Sequence, residues 1–195
     1  MEGSMHFEGT SAVHRMLRRL VHRLEEISSK YGGIDYAIAG GMALFFHGYR
    51  RFTEGVDVLV TPAGLQQIQD SLEGLGYVRP FEKSKNLRDA GTGVKIDFLV
   101  TGQYPGDGKP GPIASPDPAV VSEVIEGANV VELPRLIELK LASGAVAGRL
   151  KDLADVQKLI RALNLPLNFS QSLDTSLQKS YERLWSEVHH ERMDE

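Results

Sequence analysis

Two aspartates stand inside otherwise apolar runs: Asp57 in Val56-Asp57-Val58-Leu59-Val60 and Asp97 in Ile96-Asp97-Phe98-Leu99-Val100. An ionised carboxylate is costly to bury unless it is paired, hydrogen-bonded or bound to a cation. Both runs are β-branched and continuous, the pattern of buried strands. If the two strands are neighbours, Asp57 and Asp97 can face each other across the sheet. Two such carboxylates suit Mg²⁺ or Mn²⁺, hard ions that take oxygen ligands and keep waters and substrate phosphates as the rest. An ion held there favours in-line phosphoryl transfer by neutralising charge on the attacking and leaving oxygens. The plainer reading of Asp57 is a strand-end aspartate that caps a turn or pairs with Arg51.

Upstream, a short strand over Asp35–Ala39 runs into Gly40-Gly41 and a short helix through Ala43 and Phe46, which Gly48 can terminate. A strand–glycine–helix turn exposes backbone N–H groups that, with the helix dipole, attract phosphate, and glycine permits close approach. Such turns also occur in many proteins that bind no phosphate. Strand parity places residues 55 and 57 on one face, so a carboxylate at 55 would complete a metal grip. Gly55 stands there instead. Neighbouring Glu54 is a metal candidate only if the backbone bends, which glycine allows; otherwise its parity points it to the opposite face.

The elements that must position these residues show as periodicities. Val13, Met16, Leu17, Leu20, Val21, Leu24 and Ile27 form one apolar helix face within residues 11–30, stopped by Gly32 and Gly33. Thr61-Pro62 starts a helix, with the hydroxyl as cap and Pro at the first position. That helix carries Leu65, Ile68 and Leu72 inward and ends near Gly74 or Gly76. Tyr77–Phe81 reads as a strand, joined to Val94–Val100 by a polar link around Ser84–Gly91. Residues 102–118, GQYPGDGKPGPIASPDP, are a Gly/Pro-rich break, read as a connector. Beyond it the pattern turns helical: Leu133, Leu136, Ile137 and Leu141 form one face, and Leu153, Val156, Leu159, Ile160 and Leu163 another. Pro166 breaks the chain before a last helix over about residues 171–189.

The expectation is an α+β fold, a mixed β-sheet flanked by helices and followed by a C-terminal helical lobe. Residues 1–32 would hold a helix packed on the core, 33–117 the α/β core and 118–195 the helical lobe. The 195 residues are 42% hydrophobic and 25% charged, globular proportions. A net charge of -4 argues against broad, non-specific nucleic-acid binding. Cysteine is absent, which excludes disulfides and thiolate ligands and fits a reducing cytoplasm. No apolar run approaches the roughly 20 residues of a membrane span. The start, MEGSMHF, lacks the basic-then-apolar order of a signal peptide. The expectation is a cytoplasmic protein with no membrane partner and an open oligomeric state.

Taken in order, these motifs resemble the nucleotidyltransferase superfamily, to which DNA polymerase beta belongs. Its members carry an apolar-Gly-Gly/Ser helix start, an Asp-x-Asp strand and a third aspartate on a neighbouring strand. The likeness is closer to the bacterial branch around the AbiEii abortive-infection toxins. It rests on Gly40 to Asp57, Ile96-Asp97-Phe98, Leu136 to Ala142 (LIELKLA) and Arg149 to Asp155 (RLKDLAD), and spans residues 35–163. Four weak motifs in one order are more specific than any alone.

The resemblance implies that Gly40 and Gly41 hold a nucleoside triphosphate. Asp57 and Asp97 would bind Mg²⁺ or Mn²⁺, and Asp97 would also act on the incoming hydroxyl as base. Lys140 would reach a phosphate; its plainer reading is a salt bridge to Asp152 or Asp155. Arg51 and Thr53 would line the nucleotide cleft or fix its turn, and His47 would pack or cap the short helix. The acceptor hydroxyl would sit on RNA, protein or a small molecule, with a toxin-like role for the branch. The family has aspartate where this chain has Gly55. Two readings follow: a Mg²⁺-dependent nucleotidyltransferase, or a catalytically impaired relative that binds a nucleotide or a protein partner.

Overall fold

The computed structural model describes residues 11–190. The MEGSMHF start, to which the signal-peptide reading applies, lies outside them. Helix α1 (Ala12–Tyr31) buries all seven residues of its expected apolar face. The Ser11 side chain accepts from the His14 N–H at 3.3 Å at its start, and Gly32 closes it at φ 81°. Burying each large apolar side chain contributes about 1.5–3 kcal/mol relative to exposure, so the core rather than propensity holds α1 in place.

Strand β1 (Tyr36–Ala39) passes directly into α2 (Gly40–Phe46), and β2 (Gly55–Val60) returns antiparallel to β1 with Ala39 opposite Asp57. Helix α3 (Pro62–Leu72) starts as expected, with the Thr61 hydroxyl accepting from the Gly64 N–H at 3.0 Å. Strand β3 is only Tyr77–Val78, shorter than the expected run to Phe81. Strand β4 (Leu87–Asp89) lies within the expected polar link and pairs antiparallel with β5 (Lys95–Val100). Its one apolar residue, Leu87, is buried, and the buried Asp89 pairs with Arg19 at 2.9 Å. Three residues with one apolar position carry no readable period.

The larger correction follows the Gly/Pro-rich segment. A short α4 (Pro118–Val121) precedes a hairpin of β6 (Ser122–Ile125) and β7 (Ala128–Val131), where a helical pattern was expected from residue 118. Glu126 and Gly127 turn it with φ of 50° and 81°. Two positive-φ residues are what a tight hairpin with right-twisted strands requires, but glutamate is a weak signal for the first of them. Strand β7 then lies parallel to β1. The sheet order is β3-β4-β5-β2-β1-β7-β6, with β2–β5 and β1–β7 parallel and the other pairs antiparallel.

The helices that follow are α5 (Leu133–Gly144), α6 (Leu150–Leu163), a 3₁₀ turn (Leu167–Ser172) and α7 (Thr175–His190). Helix α5 packs on α6 and α7 and also on α2, so the helical layer meets the sheet at the Gly40-Gly41 turn. Among the described residues, no helix is long and apolar enough to cross a membrane.

Candidate functional site

The parallel pairing of β2 with β5 sets Gly55 beside Lys95, Asp57 beside Asp97 and Leu59 beside Leu99. Register partners on adjacent strands point to the same face about 5 Å apart, so the two carboxylates face the same space. Asp57 also lies under the start of α2. A Cβ built on Gly40, whose φ is 56°, would lie 1.8 Å from Asp57 Oδ2, and the Gly41 N–H donates to the carboxylate. Burial pushes the Asp57 carboxyl above its ordinary range and the charge of Asp97 adds to the shift, against the pull of Lys140 and the Gly41 N–H. Asp57 keeps partial solvent access in the cleft lining.

Asp97 is oriented by a residue that the sequence pattern did not single out. Asn86 Nδ2 donates to Asp97 Oδ1 at 2.6 Å, and Asn86 Oδ1 accepts from the Phe98 N–H at 3.0 Å. The clamp fixes one carboxylate oxygen. Asn86 precedes β4 in the polar link, and nothing in its local sequence distinguishes it from a solvated loop residue.

A buried ion network forms the wall facing Asp57. Lys140 Nζ donates to Asp155 Oδ2 at 2.7 Å and to Asp152 Oδ1 at 3.1 Å. Arg51 grips the same Asp155: Nη2 donates to Oδ2 at 3.1 Å, and Nε lies 3.0 Å from Oδ1 as an ion-pair contact without hydrogen-bond alignment. The side chains of Lys140 and Asp155 are 5% and 3% exposed, so this network is structural as well as cleft-lining. Lys140 therefore makes both of the salt bridges considered for it and still lines the cleft. Ser143 Oγ donates to Asp152 Oδ2 at 2.8 Å, and Arg149 Nη1 donates to Ser143 Oγ at 3.0 Å.

Gly41 lets this wall close on the helix start: a Cβ there would lie 2.7 Å from Thr53 Oγ1 and 3.2 Å from Arg51 Nη2. Thr53 in turn donates to the Gly55 carbonyl at 3.2 Å, which fixes the turn into β2. His47 caps α2, its Nε2 donating to the Val131 carbonyl at 2.8 Å. Glu54 is exposed and lines neither of the cavities described next. Gly55 has little room for a replacement, since a Cβ would lie 3.0 Å from the Lys95 carbonyl oxygen.

Two cavities meet over the aspartates. The first, about 360 Å³, is lined by Gly40, Gly41, Arg51, Asp57, Lys140 and Arg149 among others. The second, about 310 Å³, is lined by Asp57, Lys85, Asn86, Asp97, Gln103 and Arg149 among others. Asp57, Leu99, Pro105, Gly106 and Arg149 border both. The Gly/Pro-rich segment is thus a wall of the cleft rather than only a connector. Its Gly106, at φ 87°, abuts α5's end, where a Cβ would lie 2.8 Å from Val146 Cγ2. Arg149 begins the RLKDLAD motif, and its position there was the one available signal for a cleft role.

Comparison with solved structures identifies the fold. The solution structure of the antibiotic-resistance factor ANT(2'')-Ia superposes at a TM-score of 0.53 and 14% identity, over 90% of this chain and 98% of that chain. A candidate nucleotidyltransferase from H. pylori superposes at a TM-score of 0.50 and 14% identity, over 91% and 93%. The fold is that of the nucleotidyltransferases. No protein-family model and no curated protein sequence matches the chain. At these identities the likeness defines the fold, and the chemistry must be argued from the residues of this chain.

Those residues fit a divalent ion. Asp57 and Asp97 share a face, their mutual repulsion and the burial of Asp57 are relieved by a cation between them, and open space adjoins both. Among the described residues, no group of three His, Asp or Glu side chains converges, so water and substrate oxygens must complete a shell.

Proposed function

We propose that this protein transfers a nucleoside monophosphate from a nucleoside triphosphate to an acceptor hydroxyl, with Asp57 and Asp97 as the ligands of one Mg²⁺ or Mn²⁺. The observation that carries this reading is the position of the aspartate pair at the junction of two cavities. One of these is lined by the glycine turn and four cations, Arg51, Lys140, Arg149 and Lys151. A triphosphate fits the cationic cavity, with its α-phosphorus toward Asp57. An acceptor fits the second cavity beside Asp97.

The acceptor oxygen forms a bond to the α-phosphorus while the α–β phosphoanhydride bond breaks, and pyrophosphate leaves into the first cavity. Asp97 takes the hydroxyl proton. The Asn86 clamp on Oδ1 leaves Oδ2 uncommitted among the described residues, an arrangement suited to a general base. The Gly41 N–H and Gly40 hold the Asp57 carboxylate in place, and Arg149 borders both substrates. Asp57 and Asp97 would hold the ion, which when bound would supply charge neutralisation at the attacking and leaving oxygens. Preorganised positioning and charge account for most of the catalysis in phosphoryl transfer, so one missing ligand at Gly55 lowers the rate without removing the arrangement.

Titration calorimetry with each nucleoside triphosphate, with and without Mg²⁺, followed by label transfer from α-labelled triphosphate, tests the proposal. Mg²⁺-dependent binding and transfer abolished by Asp57→Asn are expected. Tight binding that ignores Mg²⁺, with no transfer, would leave a nucleotide-binding module instead. The toxin-like role that the AbiEii resemblance implies predicts growth arrest on induced expression, relieved by the same substitution.

A further inference from the structure

The second cavity differs in chemistry from the first. Its inner end holds the Asp57–Asp97 pair, and beyond the pair its polar side chains are Lys85, Asn86, Gln103, Tyr104, Ser115 and Arg149. The outer wall therefore has two cations and no carboxylate. Lys85 donates to Gln103 Oε1 at 3.1 Å, a neutral partner, and no carboxylate pairs with it among the described residues. Gln103 is itself held: Ser115 N–H donates to the Gln103 carbonyl at 2.8 Å, and Gly102 N–H to the Ser115 carbonyl at 2.9 Å. These two bonds close the base of the Gly/Pro-rich segment and set the Lys85–Gln103 pair at the cavity wall. An ammonium positioned by a neutral amide keeps its charge available for a ligand.

The aspartates are spoken for by the metal in the proposed reaction, so the cavity's free charge is positive. A polycationic acceptor would meet Lys85, which no carboxylate pairs among the described residues, and the half-exposed Arg149, whose one carboxylate contact among them is Asp152 at 3.6 Å, at the cost of like-charge repulsion. A volume near 310 Å³ lies at the small end of ligand sites and suits a compact molecule. We infer that this cavity is the acceptor site and selects a small hydroxyl compound bearing an anionic group, such as a sugar phosphate, with its hydroxyl toward Asp97 and its anion toward Lys85. This inference rests on the transfer reading for the hydroxyl's role. The anion selectivity of the cavity stands chiefly on Lys85, held by Gln103, with the aspartate pair neutralised by the Mg²⁺ present in the test.

Binding of ribose 5-phosphate, ribose and tobramycin to the full-length protein, measured by calorimetry with Mg²⁺ present, tests it. Ribose 5-phosphate should bind about tenfold or more tightly than ribose, and tobramycin not measurably. Lys85→Ala should remove most of that preference, while Lys151→Ala, in the first cavity only, should leave it intact. Lys85 is exposed and makes one hydrogen bond to a neutral group, so its loss does not threaten folding. No measurable ribose 5-phosphate binding, binding indifferent to Lys85→Ala, or tobramycin binding as tight as that of ribose 5-phosphate would each overturn the assignment. Lys85-dependent capture of an RNA oligonucleotide without capture of ribose 5-phosphate would overturn the small-molecule class. If nucleoside triphosphates fail to bind while the Lys85-dependent preference holds, the transfer proposal falls and the anion site remains.

Discussion

Asp57 occupies the space that a side chain at Gly40 would need: a Cβ there would sit 1.8 Å from Asp57 Oδ2. The strand–helix turn and the carboxylate at the centre of the cleft are therefore one unit, and glycine at 40 is required twice, for the contact and for φ 56°. Gly40→Ala should displace the carboxylate by an ångström or so. A shift of that size costs on the order of a hundredfold in rate. Label transfer should fall accordingly, and an alanine variant with unchanged transfer would remove Asp57 from the mechanism.

The raised pKa of Asp57 has a sign that can be measured. An acid whose folded-state pKa lies above its unfolded value destabilises the folded chain as pH rises from the unfolded to the folded pKa, and the penalty then stays constant. Without metal at neutral pH, Asp57→Asn should raise the melting temperature, by about 2–4 °C for each kcal/mol recovered. The difference should vanish below about pH 4, where both states are protonated. Mg²⁺ should raise the melting temperature of the natural chain by mass action and leave that of the Asn variant unmoved. Scanning calorimetry across pH, with and without Mg²⁺, reads all three effects.

Asp155 is the node of the buried network, gripped by both Arg51 and Lys140. Asp155→Asn leaves two cations facing each other without their shared anion, and should cost about 3–5 kcal/mol in urea unfolding. Lys140→Met should cost less, because Arg51 still neutralises Asp155. The reverse ranking would show that Lys140, not Asp155, organises the wall.

Gly55→Asp supplies a second carboxylate on the face of Asp57, in a space where a Cβ lies 3.0 Å from the Lys95 carbonyl oxygen. Overpacking of this kind costs about 1–3 kcal/mol. Added ligand charge should raise Mg²⁺ affinity at least about tenfold. Gly55→Ala should show the same loss of stability with no gain in affinity. Equal Mg²⁺ affinity in the Asp variant and the natural chain would show that position 55 does not face the ion.

Much of this is legible in the sequence. The apolar face of α1, the Thr61-Pro62 helix start, the Gly40-Gly41 turn and the two aspartate-bearing strands are local patterns, written in spacings of two, three and four residues. Hydrophobic period reports which face of an element is buried, and that information lies within the element itself. Hairpin β6–β7 escaped because its turn uses Glu126 at a position where asparagine or aspartate gives the stronger signal. Strand β4 escaped because three residues carry no period.

The tertiary structure decided the rest. That Asp57 and Asp97 are register partners depends on β5 crossing over to lie parallel to β2, forty residues along the chain, and a slip of one residue would have turned Asp97 to the other face. The meeting of Arg51 with Asp155 spans 104 residues, and the clamp of Asn86 on Asp97 depends on the pairing of two strands. The sequence determined which residues could do chemistry and which faces would be buried. Only the folded chain decided which of them share a cavity, because long-range pairing is set by packing the whole sheet rather than by any local preference.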